Sequence, residues 1–304
     1  MARPTRSDLD LVMAAAAIEE SEPDIGYLAS LFTQTSLPYR DPGDVPHWTR
    51  RSGALVLTVQ PGITMDADGN ARSLGYPYGT IPRLLLTWMS TEAVRTRSRE
   101  LILGDSLAAF MRDLNMQSTG GRNGTISRFK QQMERLFMAS LSVKFEGRAD
   151  RQIGGRLSVA SSYDLWWSGS GPDKQRSLMP STVRLSQDFY DEVTTHPVPL
   201  DLNALRALRG SPMRLDIYAW LTRRFSYLQT PTTISWRTLQ AQFGSNLADT
   251  PQGRRRFRID FDRHLRQVLV VYSDADVSVS ATGLTLKPSL THIRMRGLRQ
   301  LERR

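Results

Sequence analysis

This chain of 304 residues has few candidates for a nucleophile, a general base or a metal ligand, because it contains no cysteine and only four histidines. The lack of cysteine excludes disulfides, thiolate zinc sites and cysteine nucleophiles. The histidines are too dispersed for an HExxH zinc site or a paired-histidine nuclease site; they are His47, His196, His264 and His292. No Gly-Lys pair occurs, so the chain has no Walker A loop to hold a nucleotide.

The other spacings that suggest catalysis or metal binding are incomplete. His47 and Arg50 have the His-x-x-Arg spacing of tyrosine recombinases, but such enzymes need another catalytic arginine well upstream, and only 46 residues precede His47. Asp66-x-Asp68-Gly69 resembles the start of a calcium loop, but its glycine comes too early, which favours a tight turn. Asp260-x-Asp262 lies in a predicted helix, where residues two apart diverge by about 200°. We therefore predict no catalytic residue, no metal site and no cofactor.

The charge balance indicates a different class of function. The chain has 40 Lys+Arg against 30 Asp+Glu, a net charge of +10, and all but four of its cationic residues are arginine. The planar fork of arginine suits phosphate and guanine, although a GC-rich genome would also raise the arginine content. The longest apolar run near the start, Leu11–Ile18, is far short of the ~20 residues of a membrane span. We expect a cytoplasmic protein without a membrane partner, whose arginine placement decides what it binds.

The first basic helix is predicted over residues 126–138, after a turn at Gly120-Gly121 and Gly124, with Thr125 as its cap. One stripe is apolar and the opposite face is polar, and a hairpin with a basic tip follows. A solvated surface helix would look similar. The candidate DNA contacts in this region are Arg122, Ser127, Arg128, Gln131 and Arg135 on or before the helix, and Arg148 and Arg151 at the hairpin tip.

The second basic helix carries a stronger signal. Thr250-Pro251 is a good N-cap and N1 pair, and the helix is predicted to run to about Leu269. Its apolar stripe consists of Phe257, Phe261, Leu265 and Val268/Leu269, and Arg255, Arg256, Arg263 and Arg266 fall on the opposite side of the helical wheel. A hairpin is predicted to follow, from Val270-Val271-Tyr272, then Val277 and Val279, then Leu284 and Leu286. Such a helix can enter the major groove while the hairpin touches the backbone. The candidate contacts are Arg254, Arg255, Arg256, Arg258, Arg263 and Arg266.

The order helix, helix, basic helix, hairpin occurs twice, which predicts an α+β fold of two tandem winged-helix domains, mostly helical with β-hairpin wings. Residues 1–50 contain five prolines and are predicted to be irregular. The first winged-helix domain is placed at 51–167 and a Ser/Gly/Pro-rich linker at 168–180. The second domain follows at 181–290, with Ser186 and Asp201 as predicted helix caps and a predicted helix from Ile234 to Phe243, and 291–304 forms a basic tail.

Two stretches resemble a known family. GYPYGTIPRLLLTWMSTEAVRTRSRELILGDSLAAFMRDL (Gly75–Leu114) and GGRNGTISRFKQQMERLF (Gly120–Phe137) resemble the plasmid RepA-type replication initiators, and the likeness covers roughly residues 50–290. It implies two winged-helix domains, of which the C-terminal one grips each site most tightly. By similarity, helix 251–269 is the main reader of the major groove and helix 125–138 is its partner or a backbone clamp.

The resemblance also implies partners and a process. Such a protein binds double-stranded DNA at repeated sites (iterons) in a plasmid origin and helps to open an adjacent AT-rich segment. It recruits the host initiator protein and the replicative helicase, takes part in copy control, and forms a possible homodimer that represses its own promoter. One alternative is a winged-helix repressor that opens no DNA. Another is an enzyme such as a nicking protein or primase, which the missing catalytic constellations disfavour.

Overall fold

The computed structural model describes residues 6–104, 106–114, 116–121, 124–148, 151–165, 181–244, 247 and 250–293. The chain divides into two compact units. The terminal unit contains Met1–Ser36 together with Val198–Arg304, and the central unit contains Leu37–Pro197. The two ends of the chain therefore contribute to the same unit.

Helices and short antiparallel strands alternate along the described residues. The helices are α1 (Arg6–Glu20), α2 (Ser30–Gln34), α3 (Thr80–Thr96), α4 (Leu107–Asp113), α5 (Thr125–Met138), α6 (Gln187–Thr195), α7 (Leu202–Leu208), α8 (Pro212–Phe225), α9 (Trp236–Phe243) and α10 (Pro251–Val271). The strands are β1 (Ile25–Ala29), β2 (Trp48–Ser52), β3 (Leu55–Gln60), β4 (Ile63–Met65), β5 (Ala71–Ser73), β6 (Glu100–Gly104), β7 (Ser140–Arg148), β8 (Arg151–Ser158), β9 (Ala160–Asp164), β10 (Ser181–Leu185), β11 (Pro197–Asp201), β12 (Thr232–Ser235), β13 (Val277–Val279) and β14 (Gly283–Leu286).

The central unit is built on two sheets, with strand orders β2-β3-β7-β8 and β6-β10-β9, and on a small β4-β5 hairpin. In its core, α3, α4 and α5 pack through edge-to-face aromatic contacts. The ring centroids of Trp88 and Phe110 lie 4.8 Å apart, and those of Phe110 and Phe129 lie 5.7 Å apart. The β4-β5 turn is the one predicted at Asp68-Gly69. Asp66 Oδ1 accepts hydrogen bonds from the Asp68 and Asn70 amides, so this carboxylate shapes a turn.

The terminal unit packs α8, α9 and α10 against a three-stranded sheet of order β12-β14-β13. Trp220 of α8 contacts Phe243 of α9 at 5.4 Å, and Phe243 contacts Phe261 of α10 at 5.4 Å. In the sheet, Ser235 is paired with Gly283, where a Cβ would come within 2.1 Å of the Ile234 carbonyl oxygen. Only glycine permits this close approach of β14 to β12.

Several sequence predictions of local structure are confirmed. Thr250 caps α10 by accepting a hydrogen bond from the Gly253 amide, and Ser186 and Asp201 cap α6 and α7 as predicted. The mixed helix-and-sheet class is also as predicted.

Other predictions were wrong or differ from the structure. Residues 1–50 are not irregular, since α1, β1 and α2 lie there. The two compact units have other bounds than the predicted domains, because the first 36 residues join the C-terminal unit and residues 181–197 belong to the central one. The predicted linker at 168–180 and residues 294–304 of the predicted tail lie outside the described residues. Thr125 is the first residue of α5 rather than its cap, and Ile234 lies in β12 rather than at the start of a helix.

None of the helices in the described part of the chain is both long and apolar enough to span a bilayer.

Candidate nucleic-acid interface

The aromatic stripe of α10 fixes which of its faces is exposed. Phe257, Phe261, Leu265 and Val268 are each 0% exposed. Phe261 contacts Phe257 at 5.4 Å and Trp236 at 6.1 Å, so α10 is locked against α9. Residues at a helical period of 3.6 share a face, so burial of this stripe turns the intervening arginines outward.

The four arginines predicted to share the outer face are all exposed. Three of them pair with aspartates of the same helix: Arg256 and Arg263 approach Asp260 at 4.0 and 3.2 Å, and Arg266 approaches Asp262 at 3.0 Å. Such exposed pairs contribute only ~0–1 kcal/mol each, so the arginines can exchange them for phosphate or guanine. Arg255 has no ion pair within the described residues and is the most available cation of the helix.

Arg258 lies toward α9 rather than on the outer face, and Arg254 is less exposed than the four outer arginines. The Arg258 guanidinium lies over the Trp236 ring, 5.3 Å from its centroid, and both arginines are half-buried. The neighbouring residue of α9, Arg237, is exposed. The α9 N-terminus therefore extends the basic surface of α10, a contribution the sequence analysis missed because a single arginine on a short helix gives little periodic signal.

The β13-β14 hairpin is held beside this surface by α9. The Trp236 indole nitrogen donates to the Ser280 carbonyl at 3.1 Å, and the Trp236 amide donates to the Thr282 carbonyl at 3.4 Å. The exposed tip offers the hydroxyls of Ser280 and Thr282, which lie 3.0 Å apart. Hydroxyls and backbone amides at a hairpin tip are typical phosphate contacts. The predicted hairpin is thus confirmed in position, although Val270 and Val271 belong to α10.

The outer face of α5 has fewer available groups than predicted. Ser127, Arg128 and Gln131 are exposed opposite the buried residues Phe129 and Met133. The Ser127 hydroxyl donates to the Gly121 carbonyl at 3.0 Å, which anchors the preceding loop. In the described residues Arg128 and Gln131 remain the side chains of this face that are best placed to contact a ligand.

Arg135, the fourth predicted contact on α5, faces inward. Its Nε donates to the Leu74 carbonyl at 2.7 Å, and its Nη1 lies 3.3 Å from an Asp41 carboxylate oxygen, with 11% of the side chain exposed. Gly75, with φ of +80°, makes room for the Arg135 guanidinium, because a Cβ at this position would lie 2.9 Å from it. The structure thus gives Arg135 a role in joining α5 to the segment before α3.

The remaining predicted contacts are only partly described. Arg148 and Arg151 pair with each other at the end of the β7-β8 hairpin, as predicted, but their side chains lie outside the described residues. Arg122 lies outside them as well.

The histidines of the terminal unit are packed in the interior. Burial, followed by the charge of Arg263, lowers the pKa of His264. Burial also lowers the pKa of His292, whose Nδ1 lies 2.7 Å from the Tyr218 hydroxyl oxygen. The Asp201 amide donates to that same oxygen at 3.0 Å, so the hydroxyl joins β11 to the His292 ring. Within the described residues no three His, Asp or Glu side chains gather as metal ligands.

Comparison with known proteins assigns the chain to a family. Residues 76–238, more than half of the chain, match the family described as plasmid encoded RepA protein. The chain belongs to this RepA family. A search of curated proteins gave no match.

The fold of this RepA-family chain is similar to that of RctB. The crystal structure of selenomethionine derivatives of domains 2 and 3 of RctB aligns with a TM-score of 0.54 at 12% identity, covering 86% of this chain and 99% of that one. A second crystal structure of RctB domains 2 and 3 aligns with a TM-score of 0.48 at 12% identity, covering 84% and 96%.

The RepA-like motif at Gly75–Leu114 has a structural role in the central unit. Arg83 donates to the Gly79 and Leu37 carbonyls at 2.6 and 2.7 Å. Arg99 donates twice to the Leu185 carbonyl, at 3.1 and 2.9 Å, and so holds β6 against β10. The Thr91 hydroxyl donates to the Thr87 carbonyl at 2.7 Å, and Thr91 is 2% exposed.

Proposed function

We propose that this RepA-family protein is a replication initiator that binds iterons in a plasmid origin, helps to open adjacent AT-rich DNA and recruits the host initiator and replicative helicase. The observation that carries the proposal is α10. In a chain of this family, it presents arginines on the face opposite a buried aromatic stripe, directly before an exposed hairpin.

The topology of the terminal unit supports a winged-helix assignment. Helix α8, strand β12, helices α9 and α10 and the β13-β14 hairpin follow one another, and β12 pairs with β14 to complete the sheet. In this arrangement α10 is the recognition helix and the hairpin is the wing. The central unit has the same order in α3, β6, α4, α5 and β7-β8, but its hairpin pairs with β3 instead of β6. We propose a modified winged helix there.

Opening DNA without ATP requires that binding free energy offsets the cost of deforming the duplex. Bending a site by 40–90° costs on the order of 1–6 kcal/mol, which several bound copies can supply. The proposed protein therefore acts by binding, with arginines that hold phosphates and read guanine, and needs no catalytic residue or cofactor.

Footprinting on the plasmid's own origin, with permanganate probing in the same samples, tests the proposal. We expect protection that repeats about every two helical turns, together with reactive thymines in a neighbouring AT-rich stretch. Protection of a single inverted repeat without melting would instead identify a transcriptional repressor. Magnesium-dependent cleavage of the supercoiled origin by the purified protein would identify a nicking enzyme.

A further inference from the structure

Two arginines at the end of α8 converge on one tyrosine. The Nη1 atoms of Arg223 and Arg224 lie 3.3 and 3.0 Å from the Tyr227 hydroxyl oxygen. Both guanidinium groups also lie over the same ring, 5.3 and 5.4 Å from its centroid. Tyr227 is 47% exposed, so this cluster, the Arg223–Arg224–Tyr227 site, opens to solvent.

No carboxylate neutralises the site within the described part of the chain, where neither arginine forms an ion pair. Two cationic nitrogens that hydrogen-bond to one oxygen are at most about 6 Å apart, a distance at which they repel each other. The shared acceptor is a neutral phenol, which does not offset two positive charges. An anion bound between the guanidinium groups would offset both.

Within the described residues, the outer nitrogens of both guanidinium groups form no hydrogen bond other than those to Tyr227. Arg223 Nε donates to the Ser30 hydroxyl at 2.9 Å, and Arg224 Nε is buried without a partner among the described residues. Both residues lie in the last turn of α8, where the helix carbonyls favour cations. The negative partial charge at a helix C-terminus is only about half an elementary charge, so it does not balance the two positive charges of Arg223 and Arg224.

We propose that Arg223, Arg224 and Tyr227 bind a phosphate of the DNA backbone, an inference that rests on the proposed function. Planar guanidinium forks and a hydroxyl donor match the geometry of phosphate oxygens. The phosphate is assigned to DNA because the site belongs to the same compact unit as α10.

The position of the site along α10 supports this assignment. Phe225, within the site's segment, contacts Tyr272 at the end of α10 with ring centroids 5.8 Å apart. The end of α10 that Phe225 contacts is about 25 Å along the helix axis from Arg255. The major groove is about 12 Å wide, so a helix of this length extends past the backbone that borders the groove. A phosphate-binding site near its C-terminal end meets that flanking backbone.

The test measures DNA affinity against potassium chloride concentration for the wild-type full chain, the double variant R223Q/R224Q, the single variants and Y227F. Arg206→Gln is the matched control, because it removes one charge from an ion pair with Asp24 in the same unit. Loss of one phosphate contact makes the slope of log K against log salt shallower by about 0.9. Because the two arginines share one phosphate, the remaining arginine of each single variant can still hold it, so we expect each single variant to change the slope less than the double variant does. Tyr227→Phe keeps the exposed ring and should weaken binding several-fold.

Each result supports or overturns the proposal. The proposal would be overturned if the double variant had the same slope of log K against log salt as R206Q and if Y227F bound DNA with unchanged affinity. A free-phosphate site would appear as thermal stabilisation of the wild type, but not of the double variant, by inorganic phosphate at matched ionic strength, without any slope change on DNA. Phosphate contacts do not depend on sequence, so the slopes are also measured on a scrambled duplex. If the wild type shows no preference for origin over scrambled DNA, the proposed function fails, while the slopes still decide the phosphate site.

Discussion

Replacing Arg255 by alanine tests the proposed recognition helix most directly. This side chain is exposed and forms no ion pair within the described residues, so its removal leaves no carboxylate unpaired on the protein. Any loss of affinity is then the loss of its contact with DNA. If it reads a base, the loss is about 1–3 kcal/mol, which is about 5- to 150-fold in Kd.

The neighbouring arginines give a graded comparison. Arg263 must give up its contact with Asp260 to reach DNA, and an exposed pair of this kind offsets up to about 1 kcal/mol. Arg263→Ala should therefore weaken binding less than Arg255→Ala. Asp260→Asn releases both Arg256 and Arg263 and should strengthen binding several-fold.

Fluorescence anisotropy with a labelled origin duplex and a scrambled duplex measures these effects. Arg206→Gln serves as the control for the arginine variants, because it also removes one positive charge. A base-reading arginine is recognised by a larger loss on the origin duplex than on the scrambled one. Loss of a phosphate contact weakens binding to both duplexes equally and makes the salt slope shallower. Unchanged affinity on both duplexes for alanine variants of Arg255, Arg256, Arg263 and Arg266 would refute the assignment of this face.

Four further predictions concern stability and the first hairpin. Gly75→Ala should lower the free energy of unfolding by about 2–4 kcal/mol, because φ of +80° is unfavourable for alanine and the new Cβ meets a guanidinium; a change below about 0.5 kcal/mol in urea titration would contradict this. Arg97→Gly should raise the same free energy by about 1 kcal/mol, since Arg97 ends α3 with φ of 53°, and an unchanged urea midpoint would show that its side chain compensates. Burial lowers the pKa of His292, so the neutral form is favoured in the fold, and stability present above about pH 6.5 should fall on acidification by up to about 1.4 kcal/mol per pH unit. Urea titrations from pH 7.5 to 5.5 should show a shallower fall for His292→Asn, and equal curves would disprove the linkage. If Arg148 and Arg151 contact phosphate, the double alanine variant should have a salt slope shallower by about 1–2, whereas an identical slope would show that both are only solvated.

Local sequence signals predicted α10 well but not its end. The cap at Thr250 and the apolar period up to Val268 are both properties of neighbouring residues, so they can be read directly. Val270, Val271 and Tyr272 suggested a strand because they favour β structure. In the structure Val271 is 3% exposed on α10, so burial against the unit outweighed local propensity.

The N-terminal prediction failed for a different reason. The prolines at positions 23, 38, 42 and 46 all follow α1, and Pro4 precedes it, so none of them interrupts Arg6–Glu20. Four consecutive alanines at 14–17, the strongest helix formers, lie within this helix. Its place in the terminal unit could not have been read from local sequence, because it depends on contacts with residues more than 200 positions away, such as that between Ser273 and Glu19.

The candidate site was predictable where it depended on spacing. The pairing of Arg266 with Asp262 follows the i, i+4 rule and can be read from the sequence. The inward orientation of Arg135 cannot, because it depends on an approach to Gly75, 60 positions earlier in the chain. The convergence of Arg223 and Arg224 on Tyr227 is local, but that no carboxylate among the described residues pairs with them is visible only in three dimensions.

The distribution of charge along α10 limits where it can contact DNA. Residues 251–258 carry four arginines and no carboxylate, whereas residues 259–266 carry two arginines and two aspartates. The first half therefore attracts phosphate strongly, and the charges of the second half offset one another. The positive end of the helix dipole also lies at the N-terminus of α10, beside α9 and the hairpin. Recognition helices contact base edges mainly with their N-terminal residues, so the effects of substitution should decrease from Arg255 and Arg256 toward Arg263 and Arg266.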